Sequence, residues 1–130
     1  MKILYVVTEA RFFISHRLRL ALQALERDWE VVVVSAPNTG EEDLAGLGIE
    51  HIPIPLTRSG FNPRSEWRAY RDLKSIYRTQ APDIVHHVTI KPVMYGSFAG
   101  RGARIGAVVN AVPGMGFVFT RRGAWASARR

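Results

Sequence analysis

Short runs dominated by apolar residues alternate along this chain with segments whose apolar residues recur every three or four positions. Ile3–Val7 is a run rich in β-branched residues, the composition of a strand covered on both faces. Beyond it, Leu18, Ala21, Leu22 and Leu25 recur at helical spacing. They predict an amphipathic helix capped by Ser15, opened by His16 and ending near Asp28. Val31–Val34 reads as a second buried strand, broken by Ala36-Pro37-Asn38-Thr39-Gly40. Glu41–Leu47 predicts a short helix stopped by Gly48, and Ile49–Ile54 a third strand. Pro53 and Pro55 confine that strand to an edge or to its own end. After a loop from Thr57 to Asn62, Pro63 suits the first turn of a helix. Trp67, Tyr70, Leu73, Lys74, Ile76 and Tyr77 make its inward stripe, and Pro82 closes it. Ile84–Val88 is a fourth strand, Pro92 to Gly100 a helix of small and apolar residues, and Ile105–Val109 a fifth strand. The resulting order, β-α-β-α-β-α-β-α-β, predicts an α/β Rossmann-like parallel sheet of about five strands with helices on both faces.

The chain's 130 residues suit one domain. With 47% hydrophobic and 22% charged residues it is globular in composition. The absence of cysteine excludes disulfides and thiolate metal sites and fits a reducing cytoplasm. The first apolar run is too short for a secretion signal or a membrane span. Net charge is +7, spread from Arg11, Arg17 and Arg19 through Arg58–Arg78 to Arg121–Arg130. Such a surface is either merely solvated or drawn to anionic lipid or a diphosphate substrate. No zinc-finger, basic-zipper or RNA-binding signature is present, so nucleic acid is not the expected partner.

In open parallel sheets, ligands bind beyond the carboxyl ends of the strands. The first such loop, Thr8-Glu9-Ala10-Arg11-Phe12-Phe13, has no glycine, so the pyrophosphate fingerprint of dinucleotide enzymes is missing. There is no P-loop and no Gly-x-Ser-x-Gly elbow. On one reading Phe12 and Phe13 fold back into the core and His16 merely opens the helix; on the other His16 faces the cleft. His16, at a helix N-terminus, would face a substrate hydroxyl. His86 and His87 point to opposite faces of their strand, one packed under a helix and the other exposed, which argues against a shared metal. Thr89 and Lys91 lie just past the fourth strand, where a lysine either meets a phosphate or is solvated. Asn110 follows the fifth strand and leads into Gly114-Met115-Gly116, a lid, an anion nest or a crossover turn.

Four strings taken together carry a resemblance: Phe12-Phe13-x-Ser15-His16-Arg17, Ile54-Pro55-x-x-Arg58-Ser59-Gly60-x-Asn62-Pro63, Val88-Thr89-Ile90-Lys91-Pro92 and Gly114-Met115-Gly116-Phe117. With them the chain resembles, up to about Gly123, the N-terminal domain of family 4 glycosyltransferases. These are retaining enzymes of GT-B fold, and the nearest subgroup builds surface polysaccharides and lipid-linked oligosaccharides. The resemblance implies that residues 1–123 form the acceptor-side domain and 124–130 a basic tail, and that the donor-binding C-terminal domain is absent. It implies transfer of a hexose or N-acetylhexosamine from a nucleotide sugar to a polyprenyl-diphosphate sugar or glycan, with no metal and no cofactor beyond the donor. It also allows a non-catalytic recruiting subunit of a split enzyme.

By the same resemblance His16 and Asn110 take catalytic places, and Phe13, Arg17, Thr89, Lys91, Gly114, Met115 and Gly116 bind substrate. Many family members have a histidine where Asn110 stands here, and the first loop lacks their double glycine. A strong protein base is not required in this class, because the leaving phosphate takes the acceptor proton. The implied location is cytoplasmic, peripheral at the inner face of the plasma membrane. Arg64, Arg68 and Arg71 would then face anionic lipid beside Trp67 and Tyr70, with a donor-binding subunit as a further partner.

Overall fold

In the computed structural model, residues 1–56, 62–101, 103 and 105–111 are described. Five strands form one parallel sheet: β1 (Lys2–Val6), β2 (Glu30–Ser35), β3 (Glu50–Pro53), β4 (Ile84–Val88) and β5 (Ala107–Ala111). Their order is β3-β2-β1-β4-β5. The chain winds outward from β1 to β3, then returns to the other side of β1 for β4. The order therefore reverses between β1 and β4, and the strand-end crevice of a doubly wound sheet opens at such a point.

Alternation along the buried strands divides the core in two. Leu4, Val6, Val32, Val34 and Val85 pack on one face against Ala69, Leu73, Ile76 and Tyr77 of α3 (Pro63–Gln80) and Ala99 of α4 (Ile90–Ala99). Ile3, Tyr5, Val7, Val31 and Val33 point the other way, onto Ala10 and Phe13 of α1 (Ala10–His16) and Ala21 of α2 (Leu18–Glu26). A period of two on strands sandwiched by helices requires this division.

Four boundaries differ from the sequence expectation. The helix predicted to open at His16 begins instead at Leu18; His16 ends a separate, earlier helix, and Arg17 between the two (φ −124°, ψ −6°) leaves the helical region. Ala10 and Phe13 anchor the first helix in the core, which pulls its start back to the end of β1. Glu41–Leu47 forms two single 3-10 turns, Glu41–Asp43 and Ala45–Leu47, with only Leu44 between them buried. The fourth helix begins at Ile90, two residues earlier than predicted, with Pro92 inside its first turn. β5 lies two residues later than predicted. Gly106 passes so close to β4 that a Cβ there would stand 2.7 Å from the Asp83 carbonyl, and pairing begins only at Ile84↔Ala107. α3 starts as expected: Pro63 follows Asn62, whose side chain accepts from Arg64 N at 3.0 Å and Ser65 N at 3.4 Å. It ends at Gln80, with Ala81 in the left-handed region.

Candidate functional site

The carboxyl end of the sheet gathers Thr8 after β1, Thr89 after β4 and Asn110 in β5. The Thr8 and Thr89 hydroxyls lie 3.2 Å apart and bridge the point where the strand order reverses. Thr89 has φ 76° and ψ 171°, a backbone state that a β-branched residue adopts only when its surroundings impose it. Two backbone bonds do so: Thr89 N donates to Ala111 O at 2.9 Å, and Val93 N donates to Thr89 O at 3.1 Å. Thr89 precedes α4 without capping it through its side chain, so its hydroxyl is turned toward Thr8 rather than into the helix.

Asn110 is held from beneath. It stands within β5, not after it, in register with His87. His87 Nδ1 lies 2.7 Å from Asn110 Oδ1, and His87 Nε2 lies 2.5 Å from the Tyr77 hydroxyl. A carboxamide oxygen only accepts, so Nδ1 carries the proton and Nε2 accepts from the tyrosine. Burial pushes the His87 imidazole below its ordinary pKa, and the bond to Asn110 opposes this only in part. Burial also raises the Tyr77 phenol. The chain Tyr77–His87–Asn110 is therefore neutral. It consumes the oxygen of Asn110 and leaves the amide hydrogens for the exposed side, so Asn110 offers a donor and not a base.

The α1 end of the crevice is closed to phosphate. Thr39 Oγ1 accepts from Ala10 N at 2.9 Å and Thr39 O accepts from Arg11 N at 2.9 Å, occupying first-turn amides that a pyrophosphate would need. Glu41 fixes that loop by accepting from Asn38 N and Thr39 N at 2.7 and 2.8 Å. These bonds lower its carboxyl to about 2.

Several residues sit differently from their expected places. Phe13 is fully buried, its ring 4.9 Å from Tyr5, and it supports the crevice from the core without reaching a substrate. His16 is exposed but closes α1, where the sequence placed it at a helix start. Its Nδ1 lies 3.2 Å from Phe12 O of its own helix. It lies roughly 9 Å along the helix axis from Ala10.

Arg17 turns partly inward. Its Nε is buried without a partner among the described residues, and its charge acts on Tyr5 and His86. His86 is half-buried, not exposed, with its ring 5.3 Å from Tyr5. Burial first, then Arg17 and His87, bring its imidazole down to about 4.

Lys91 is not directed at the crevice. Its ammonium is 2.7 Å from Glu66 Oε1 on α3, with both side chains largely buried. Gly114, Met115, Gly116 and the 124–130 tail lie outside the described residues. Among the described residues no group of three or more His, Cys, Asp or Glu side chains could hold a metal, and no helix is long and apolar enough to cross a membrane.

Sequence reasoning did not single out Thr8, Tyr77, Gly96 or Glu66. The two adjacent histidines were the available signal, because alternation sends one of them under a helix. That helix must then carry a small residue, and Gly96 is the one that meets His87.

A parallel five-stranded sheet whose strand order reverses between β1 and β4, with helices on both faces, defines a Rossmann-like α/β fold. The chain belongs to the glycosyl transferase 4-like family, whose model matches residues 2–127. No curated protein matches it. Among solved structures it is similar to MurG from Acinetobacter baumannii, at 15% identity and TM-score 0.66, covering 85% of this chain and 34% of that one. Glycosyltransferase VinC, solved in complex with dTDP, aligns at 18% identity and TM-score 0.62 over 85% of this chain and 34% of its own. An assigned UDP-N-acetylglucosamine 2-epimerase from Listeria monocytogenes aligns at 13% identity and TM-score 0.60, covering 82% and 30%. The chain thus spans about a third of each neighbour. At these identities the likeness establishes the fold, that of a GT-B N-terminal domain.

Proposed function

We propose that this chain is the acceptor-side half of a retaining glycosyltransferase. It would act with a donor-binding half, on another polypeptide or a longer form of this one, to move a hexose or N-acetylhexosamine from a nucleotide sugar to a lipid-linked or surface glycan. The observation that supports this reading is the neutral Tyr77–His87–Asn110 chain, which engages the carboxamide oxygen of exposed Asn110 at the same end of the sheet as the Thr8–Thr89 pair. Such a site orients an acceptor hydroxyl but removes no proton from it. The bond from sugar C1 to the donor phosphate oxygen breaks as the bond to the acceptor oxygen forms on the same face, and the leaving diphosphate takes the acceptor proton. Thr89 and Asn110 hold the acceptor, with His16 and Arg17 at its rim. The nucleotide sugar is a substrate bound mainly by the other half, and no metal is used. The test is transfer of labelled sugar when the donor-binding half is supplied, and absence of transfer contradicts the reading.

The acceptor's lipid would keep the chain at an anionic membrane. Arg64, Arg68 and Arg71 are exposed at positions i, i+4 and i+7 of α3 and so form one basic stripe. Each such charge contributes about 1 kcal/mol near an acidic leaflet. Replacing all three by Glu should weaken binding to phosphatidylglycerol vesicles by on the order of 100-fold. Unchanged co-sedimentation would remove the membrane from the proposal.

A further inference from the structure

Between α3 and α4 lies an open, shallow groove of about 410 Å³ lined by Pro63, Glu66, Trp67, Tyr70, Tyr95 and Phe98. Its walls are aromatic. The Trp67 and Tyr70 rings are 5.5 Å apart and tilted by 33°, and Trp67 is 62% and Phe98 54% exposed. One carboxylate interrupts this apolar lining. Glu66 is only 6% exposed, and its Oε1 accepts from Lys91 Nζ at 2.7 Å and from the Tyr95 hydroxyl at 2.9 Å. Its Oε2 is buried and meets no donor among the described residues. Buried carboxylate oxygens are ordinarily satisfied, so this one marks a place for a donor brought from outside.

The charge balance decides which donor. Lys91 already neutralises Glu66, so an added cation would meet a compensated site and the nearby ammonium. An anion would meet a carboxylate. A purely apolar chain would cover the rings but leave Oε2 dry and unsatisfied. A neutral molecule with hydroxyl groups on its edge and C–H bonds on its face meets both demands. The hydroxyl donates to Oε2, and the weakly positive C–H face lies on the negative face of an indole or phenol ring. We propose that this groove binds a pyranose unit of a glycan, with one ring hydroxyl donating to Glu66 Oε2 and the sugar face against Trp67. This is a binding assignment alone and stands whether or not the chain takes part in sugar transfer.

The full chain, uniformly labelled with ¹⁵N, is titrated separately with methyl β-glucopyranoside, methyl N-acetyl-β-glucosaminide, tetramethylammonium chloride and hexanol. The glycosides should shift the Trp67 indole signal with Kd of about 1 mM, and the other two compounds should not. Trp67→Ala, at a mostly exposed position that leaves the fold intact, should weaken glycoside binding about tenfold, read from the Tyr95 and Phe98 amides. Glu66→Gln should weaken it as well, but Trp67→Ala decides, because it leaves Lys91 paired. A Trp67 signal unmoved by either glycoside overturns the proposal. So does a shift caused only by tetramethylammonium or only by hexanol, or glycoside binding that survives Trp67→Ala unchanged.

Discussion

Gly96→Ala should destabilise the domain by about 3 kcal/mol and lower its Tm by roughly 10 °C, although alanine is the better helix former. A Cβ at Gly96 would stand 2.1, 2.3 and 2.8 Å from His87 Nε2, Cδ2 and Cε1. The imidazole cannot step aside, because Tyr77 holds one nitrogen and Asn110 the other. Either α4 lifts off the sheet or the buried hydrogen-bonded chain breaks, and both outcomes are costly. Adding His87→Ala should recover part of the loss by giving the new methyl room, a coupling that a double-mutant cycle of thermal melts measures. If Gly96→Ala melts within about 2 °C of the parent, His87 is not packed against α4 as described.

Lys91→Met should cost a similar amount, about 3 kcal/mol, because it leaves the Glu66 carboxylate buried without its charge partner. Lys91→Met with Glu66→Gln should restore most of that stability. The uncompensated charge is then gone, and the Tyr95 hydroxyl keeps an oxygen to donate to. Chemical denaturation of the two variants against the parent checks both statements. A single variant as stable as the parent would mean that Lys91 does not stabilise the buried Glu66 carboxylate.

The same pair shows where sequence reading stops. Lys91 lies just past a strand, and its position alone suggests phosphate. Its partner is 25 residues earlier on another helix, and nothing local to either residue announces the other. β1, β2 and β4 were legible as short runs with largely buried side chains, and β3 and β5, more exposed at the sheet edges, as short runs rich in Ile and Val bounded by Pro or Gly; all five are present and parallel. Their order was not. Alternating strands and helices fit several doubly wound orders, and only side-by-side pairing fixes β3-β2-β1-β4-β5.

Within the site, alternation correctly sent His86 and His87 to opposite faces. It also suggested that one of them is exposed, but neither is, since Tyr5 packs on the first and Tyr77 on the second. His16 was misplaced because the stripe from Leu18 to Leu25 begins only after the break at Arg17 and says nothing of the helix before it. That earlier helix is anchored by buried Ala10 and Phe13, which lie outside the stripe.

The most direct test of the account is sugar transfer itself. The full chain, combined with a donor-binding domain of the same family, is given a labelled nucleotide sugar and a polyprenyl-diphosphate sugar, and the product's anomeric configuration is read by proton NMR. The account predicts transfer that needs both halves, falls sharply with Asn110→Ala, and keeps the configuration of the donor. A product of inverted configuration, or an acceptor bound yet never glycosylated, would contradict it.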